Sequence, residues 1–213
     1  MKKKAIIISI KGYHLSTKEK MLIKNEKPWG LILFKRNIKS LRQVIELIKK
    51  IRKFSKDSKF PIMIDEEGET VSRLSKIINH NFSQKLFGDM YKDNPKVALI
   101  VYKNYINNLT LLLKKIGINI NTVPVLDVIR KKTHKIIGNR SFSNDPRIVK
   151  TLGQVCVKQY KSNKLGTVIK HIPGHGCSTF DSHLKTPKVK LNYKDLNKID
   201  FFPFKSNSSQ FAM

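Results

Sequence analysis

The densest run of reactive residue types is Lys170-His171-Ile172-Pro173-Gly174-His175-Gly176-Cys177-Ser178-Thr179-Phe180-Asp181-Ser182-His183. Asp181 and His183 are two apart, so in an extended loop their side chains lie on one side. The carboxylate can then accept a ring N–H from the imidazole, which fixes its tautomer and favours its protonated form. A histidine held in this way can release a proton at bond cleavage and take one from water afterwards. Gly174 and Gly176 supply backbone freedom, so a mobile loop that closes on substrate is expected. The rival chemistry is a metal site, because His171, His175, Asp181 and His183 are ligand types within one short stretch. Their spacing does not reproduce the His-x-His-x-Asp-His pattern of metallo-hydrolases, so neither a metal nor another cofactor is expected. His175, set between glycines, is expected to shape the loop rather than to react.

Such residues need a frame that gathers distant loops. Short apolar, β-branched runs recur at Ala5–Ile10, Leu31–Phe34, Pro61–Ile64, Ile118–Val128 and Thr167–Ile172, and Phe211-Ala212-Met213 opens a sixth. Ser40–Phe54 and Pro95–Ile116 between them have a helical apolar period. A further helix is expected from Asp145-Pro146 to about Asn163, with a cap at Asn144 or Asp145 and Pro146 in the first turn. This alternation marks a parallel sheet of βα units. Polar residues cluster just after the runs: Lys35-Arg36-Asn37, Asp65-Glu66-Glu67, Asp127 and Lys170-His171. A (β/α)8 barrel places its chemistry at these strand ends. The expected fold is therefore α/β, a TIM-type barrel of which residues 1–213 form a single incomplete domain of about five or six strands, since such a barrel takes roughly 250 residues. On strand count alone an open α/β sheet also fits. Asp65, directly ending an apolar run, is the better candidate site residue. The Glu66-Glu67 pair reads equally as a solvated turn, and Asp127 reads as a helix cap or salt-bridge partner before a substrate ligand.

The segment from Lys170 to His183 resembles the Lys-His-Phe-Pro-Gly-His-Gly, four residues, Asp-Ser-His motif of bacterial β-N-acetylglucosaminidases of glycoside hydrolase family 3. Ile32-Leu33-Phe34-Lys35-Arg36-Asn37 is similar to that family's second-strand motif, and Ile64-Asp65-Glu66-Glu67-Gly68 with Arg73-Leu74 to its Ile-Asp-Gln-Glu-Gly-Gly-Arg-Val-x-Arg-Leu. Pro124-Val125-Leu126-Asp127-Val128 and Gly138-Asn139-Arg140-Ser141-Phe142 with Asp145-Pro146 complete an ordered set from about Gly30 to Pro203. The resemblance implies a retaining hydrolase of terminal β-linked N-acetylglucosamine, associated with muropeptide and peptidoglycan recycling. It implies His183 as acid/base with Asp181 as its partner, where most retaining glycosidases use a carboxylic acid. It also implies sugar-binding roles for Asp65, Arg73, Arg140, Lys170 and His171. An aspartate can accept from two sugar hydroxyls, and the cations and His171 can donate to hydroxyl or acetamido oxygens. The chain departs from the family at Glu66, Glu69 and Thr70, where the family has Gln, Gly and Arg. The family's nucleophilic Asp follows a later strand, so these 213 residues are expected to be nearly inert alone. A non-catalytic sugar-binding or nucleic-acid-binding protein, or a His/Asp metallo-hydrolase, remains the alternative.

A formal charge of +28, from 43 basic and 15 acidic residues, ordinarily suggests nucleic acid or an anionic membrane. Only seven of the basic residues are Arg, the fork-shaped side chain that base reading favours, and the lysines are spread over the whole chain. The abundance of Lys, Ile and Asn, all with A- and T-rich codons, accounts for the charge without a nucleic-acid partner. Neither a membrane span nor a secretory signal is expected, since the apolar run after Met1 stops at Lys11. Cys156 and Cys177 form no disulfide framework. A cytoplasmic location and, for the full-length protein, a monomer are expected.

Overall fold

Each apolar run becomes a strand because its β-branched side chains fill both faces of a sheet, as a parallel sheet covered by helices requires. The computed structural model describes residues 3–79, 81–180, 184, 186 and 188–213. Among them the order is β1 (Lys4–Ile8), α1 (Thr17–Glu26), β2 (Pro28–Leu33), α2 (Leu41–Ser55), β3 (Ile62–Ile64), α3 (Gln84–Asp93), α4 (Pro95–Ile116), β4 (Ile120–Asn121), α5 (Pro146–Ser162), β5 (Gly166–Ile169), α6 (Tyr193–Lys198) and β6 (Phe211–Ala212). The six strands pair in chain order, all parallel. Leu33 lies beside Ile64, Ile64 beside Asn121, and Asn121 beside Thr167, so consecutive strand ends fall at one level.

The sheet curls. Trp29 of β2 and Phe211 of β6 meet edge to face, with ring centroids 5.2 Å apart, although four strand spacings on a flat sheet would separate them by about 19 Å. Both rings pack on Met63, Ile120 and Val168, which line the concave side. The larger core lies between the convex side and the helices. In α2, Val44, Leu47, Ile48 and Ile51 are buried at the spacing of one helical face, each stabilising the fold by about 1.5–3 kcal/mol. These are six consecutive strands of a TIM-type α/β barrel, open between β1 and β6 among the described residues.

Helices α2, α4 and α5 lie where the apolar periodicity puts them, and α5 is capped by Asp145 with Pro146 in its first turn. The run Ile118–Val128 does not form one strand. The regular strand stops at Asn121, because Val123 N turns back to Asn121 O, yet backbone pairing toward β5 continues through Val123 O, Pro124 O and Leu126 N, with Val125 bridged to Lys170. Three helices lack the expected signal. Helix α1 buries only Ile23, α6 buries no residue, and α3 buries just Gln84, Phe87 and Gly88.

Candidate active site

Three neighbouring strand ends deliver the charged groups. After β3 come Asp65, Glu66 and Glu67; after β4 come Thr122, Asp127 and, further on, Arg140; after β5 come Lys170 and His171. The turn after β3 is held by the Asn121 side chain, which accepts from Glu66 N at 2.9 Å, donates to Glu66 O at 2.8 Å and donates to the Tyr160 hydroxyl at 2.8 Å. With its backbone so fixed, Asp65 projects inward and accepts from Arg73 at 3.0 Å, from the Thr122 hydroxyl and from Lys170 at 3.4 Å. Lys170, 2% exposed, also donates to Thr122 at 2.8 Å.

Glu66 and Glu67 are not a solvated turn. Both are buried. Glu66 accepts the backbone N–H groups of Arg73 and Leu74 at 2.8 and 2.9 Å, which ties the loop carrying Arg73 to the strand end. Glu67 accepts from Lys170 at 2.6 Å and from Arg140 at 2.7 and 2.9 Å. Burial alone would raise the Asp65 and Glu67 carboxyls, but Lys170, with Arg73 beside Asp65 and Arg140 beside Glu67, outweighs it and holds both below their ordinary range. Burial likewise works against the Arg140 charge, and Glu67 more than restores it.

Asp127 is a pairing residue, as one of its sequence readings has it. One oxygen meets His171 Nδ1 at 2.6 Å, and the other accepts the backbone N–H groups of His171 and His175 at 3.3 and 2.7 Å. Arg140, which can only donate, faces His171 Nε2 at 3.3 Å. In this arrangement His171 donates from Nδ1 to Asp127 and presents Nε2 to Arg140 as an acceptor. The five expected sugar-binding residues thus meet in one network.

The glycine-rich segment is pinned at its base. A Cβ on Gly176 would stand 1.9 Å from the Val128 carbonyl oxygen, and one on Gly174, at φ +127°, would meet Asp200. Asp200 is fully buried and paired with Arg130, while Thr133 donates to Gly176 O and His134 N donates to Ser178 O at 3.0 Å. His175 shapes the loop through its backbone. Burial and Asp200 push the Cys177 thiol above its usual range. The expected catalytic pair, Asp181 and His183, lies outside the described residues. Among those described, no three His, Cys, Asp or Glu side chains are grouped to hold a metal ion.

Residues 2–210 match the model of the glycosyl hydrolase family 3 N-terminal domain. The chain belongs to glycoside hydrolase family 3. It is 29% identical over 199 residues to a beta-hexosaminidase of Xanthomonas oryzae pv. oryzae, covering 93% of this chain and 59% of that protein. Native NagZ from Neisseria gonorrhoeae superposes with a TM-score of 0.89 at 27% identity, over 97% of this chain and 60% of its own. The same protein in complex with N-trifluoroacetyl-D-glucosamine gives 0.90 at 26% identity, over 99% and 63%. The chain thus spans about 60% of the length of these relatives. The family match and the parallel sheet together identify the barrel scaffold of glycoside hydrolase family 3.

In this family member, sequence reasoning missed Glu67, Thr122 and the clamping task of Asp127 within the network. Glu67 carries a usable signal: a charged residue two positions beyond a strand-ending Asp shares its side of an extended turn.

Proposed function

We propose that residues 1–213 form one incomplete barrel domain holding the sugar-recognition half of a retaining β-N-acetylglucosaminidase. In this reading Asp65, Arg73, Arg140, Lys170 and His171 bind a terminal N-acetylglucosamine. His183, oriented by Asp181, protonates the glycosidic oxygen and later deprotonates water, and the longer protein hydrolyses cytoplasmic muropeptides during peptidoglycan recycling. The observation that carries it is the convergence of these five residues into one bonded network across three strand ends. The glycine-rich segment that leads to His183 starts from the same point. The sugar analogue bound by the Neisseria relative supports the same ligand class.

The described carboxylates of the pocket are poor nucleophiles, which favours binding without turnover. Asp65 is engaged by Thr122, Lys170 and Arg73, Glu67 by Lys170 and Arg140, and Asp127 by His171 and His175. A carboxylate already held by three donors has little free lone-pair density with which to attack carbon. The 213-residue protein is therefore expected to bind N-acetylglucosamine in a calorimeter and to leave an aryl N-acetylglucosaminide uncleaved. Clear turnover that disappears in Asp65→Asn while N-acetylglucosamine binding persists would show instead that Asp65 is the nucleophile.

A further inference from the structure

One buried carboxylate stands between two of the cations that the proposed pocket uses. Glu67 accepts from Lys170 Nζ and Arg140 NH2 at Oε1, 2.6 and 2.9 Å, and from Arg140 Nε at Oε2, 2.7 Å. Without it, two positive side chains would face each other where water is largely shut out, and their repulsion there is several-fold what it is in bulk solvent. The arrangement extends on both sides with alternating sign. Asp65 lies between Arg73 and Lys170, and beyond Arg140 comes His171, backed by Asp127. The cations Arg73, Lys170 and Arg140 thus alternate with Asp65, Glu67 and Asp127 along the network, with His171 between Arg140 and Asp127.

We propose that Glu67 is a specificity-determining residue, holding Lys170 and Arg140 side by side as donors to a neutral ligand oxygen while offsetting their charge and so disfavouring anionic sugars. This rests on the reading of the site as a sugar pocket. An uncharged hydroxyl or amide oxygen takes the remaining donor positions of both cations without disturbing Glu67. A carboxylate or sulfate competes with Glu67 for the same donors, and like charges at this range repel. Glu67 touches no reacting atom, so it is a positioning residue that acts through Lys170 and Arg140.

The test uses the 213-residue chain as wild type, Glu67→Gln, and Glu69→Gln as the control for an exposed carboxylate nearby. Each is titrated in a calorimeter with N-acetylglucosamine and with N-acetylglucosaminuronate, which replaces the 6-hydroxymethyl by a carboxylate of similar size. Sulfate is added separately while the Lys170 side-chain NMR signal is followed. Glu67→Gln is expected to shift the affinity ratio toward the acid by roughly tenfold or more, the scale of one unit charge at close range. Sulfate is expected to move the Lys170 signal in Glu67→Gln alone. Equal weakening of both sugars, the result of a purely structural role, overturns the proposal, as does an unchanged ratio. If the wild type binds neither sugar, the sugar-pocket reading fails, and the sulfate arm decides Glu67 by itself: a response confined to Glu67→Gln upholds its charge-setting role, and silence in both proteins overturns it. If Glu67→Gln does not fold, Arg140→Gln supplies the opposite sign. It removes one positive charge and must lower the acid-to-neutral ratio, and any other direction overturns the proposal.

Discussion

Asp127 controls which ring nitrogen of His171 carries the proton. In Asp127→Asn the introduced amide can still accept backbone N–H groups, but its NH2 would face the His171 Nδ1–H, donor against donor. The imidazole must then move its proton to Nε2, where Arg140 already donates. Loss of the Nδ1–H tautomer in 15N spectra and roughly tenfold weaker N-acetylglucosamine binding are expected, the scale of one mismatched hydrogen bond. An unchanged ring spectrum would contradict the arrangement. The acid side of stability belongs to Asp65 and Glu67, whose carboxyls are held below their ordinary range. A lowered folded value adds stability that is complete above the unfolded carboxyl range of about 4 and is lost as pH falls through the lower folded values. Melting temperature should accordingly hold from neutrality to about pH 5 and drop below pH 4, less steeply in Asp65→Asn; identical slopes would exclude Asp65 from that loss. Asp65, Arg73, Arg140, Lys170 and His171 were legible because motif order survives in sequence. Glu67 and Thr122 were not, since their tasks arise from contacts between separate strand ends, and a Glu-Glu pair reads the same in a turn or a core.

Helix α3 matters to the site because it brings Gln84 under the pocket, where the side-chain amide donates to Val125 O at 2.9 Å and Arg140 O at 2.6 Å and accepts from Val125 N at 3.1 Å. Its approach depends on Gly88, where a Cβ would sit 1.7 Å from the Phe142 carbonyl oxygen. Gly88→Ala must push α3 from the 138–142 segment that carries Arg140. It should cost about 1–3 kcal/mol despite better helix propensity, and a melting temperature equal to or above wild type would remove that role from the glycine. The strongly amphipathic α2, α4 and α5 were readable from periodicity because each buries a full stripe. The short α1 was not, although Ser16 and Glu19 form a reciprocal capping box at its start. A cap specifies where a helix begins but, without an apolar stripe, not that tertiary packing will hold one. The β4 run was read too long for a similar reason: residues 120–128 are buried throughout and mostly apolar, so the sequence gives little sign of where regular strand ends beyond Pro124.

Among the described residues the open sheet leaves β1 and β6 as edges, and apolar side chains there are poorly covered: Ile6 and Ile7 of β1 are 52% and 41% exposed and Met213, next to β6, 54%. Unpaired strand edges with apolar side chains are templates for association. Against this works the net charge of +28, which makes every copy repel every other. Salt decides between them, because the screening length falls from about 30 Å at 0.01 M to about 8 Å at 0.15 M, whereas edge pairing and apolar contact are little affected. The 213-residue chain is therefore expected to sediment as a monomer at low ionic strength and to associate as salt rises. Paired Ile6→Lys and Ile7→Lys substitutions should suppress that association by charging the β1 edge. A functional nucleic-acid interface would show the opposite sign, with binding to single-stranded DNA weakening steeply over the same range. Sedimentation velocity and DNA titration at matched salt concentrations thus separate an unmet sheet edge from a purposeful basic surface. A monodisperse monomer at 0.5 M salt would mean that these edges do not pair between copies, and the edge argument would then be lost.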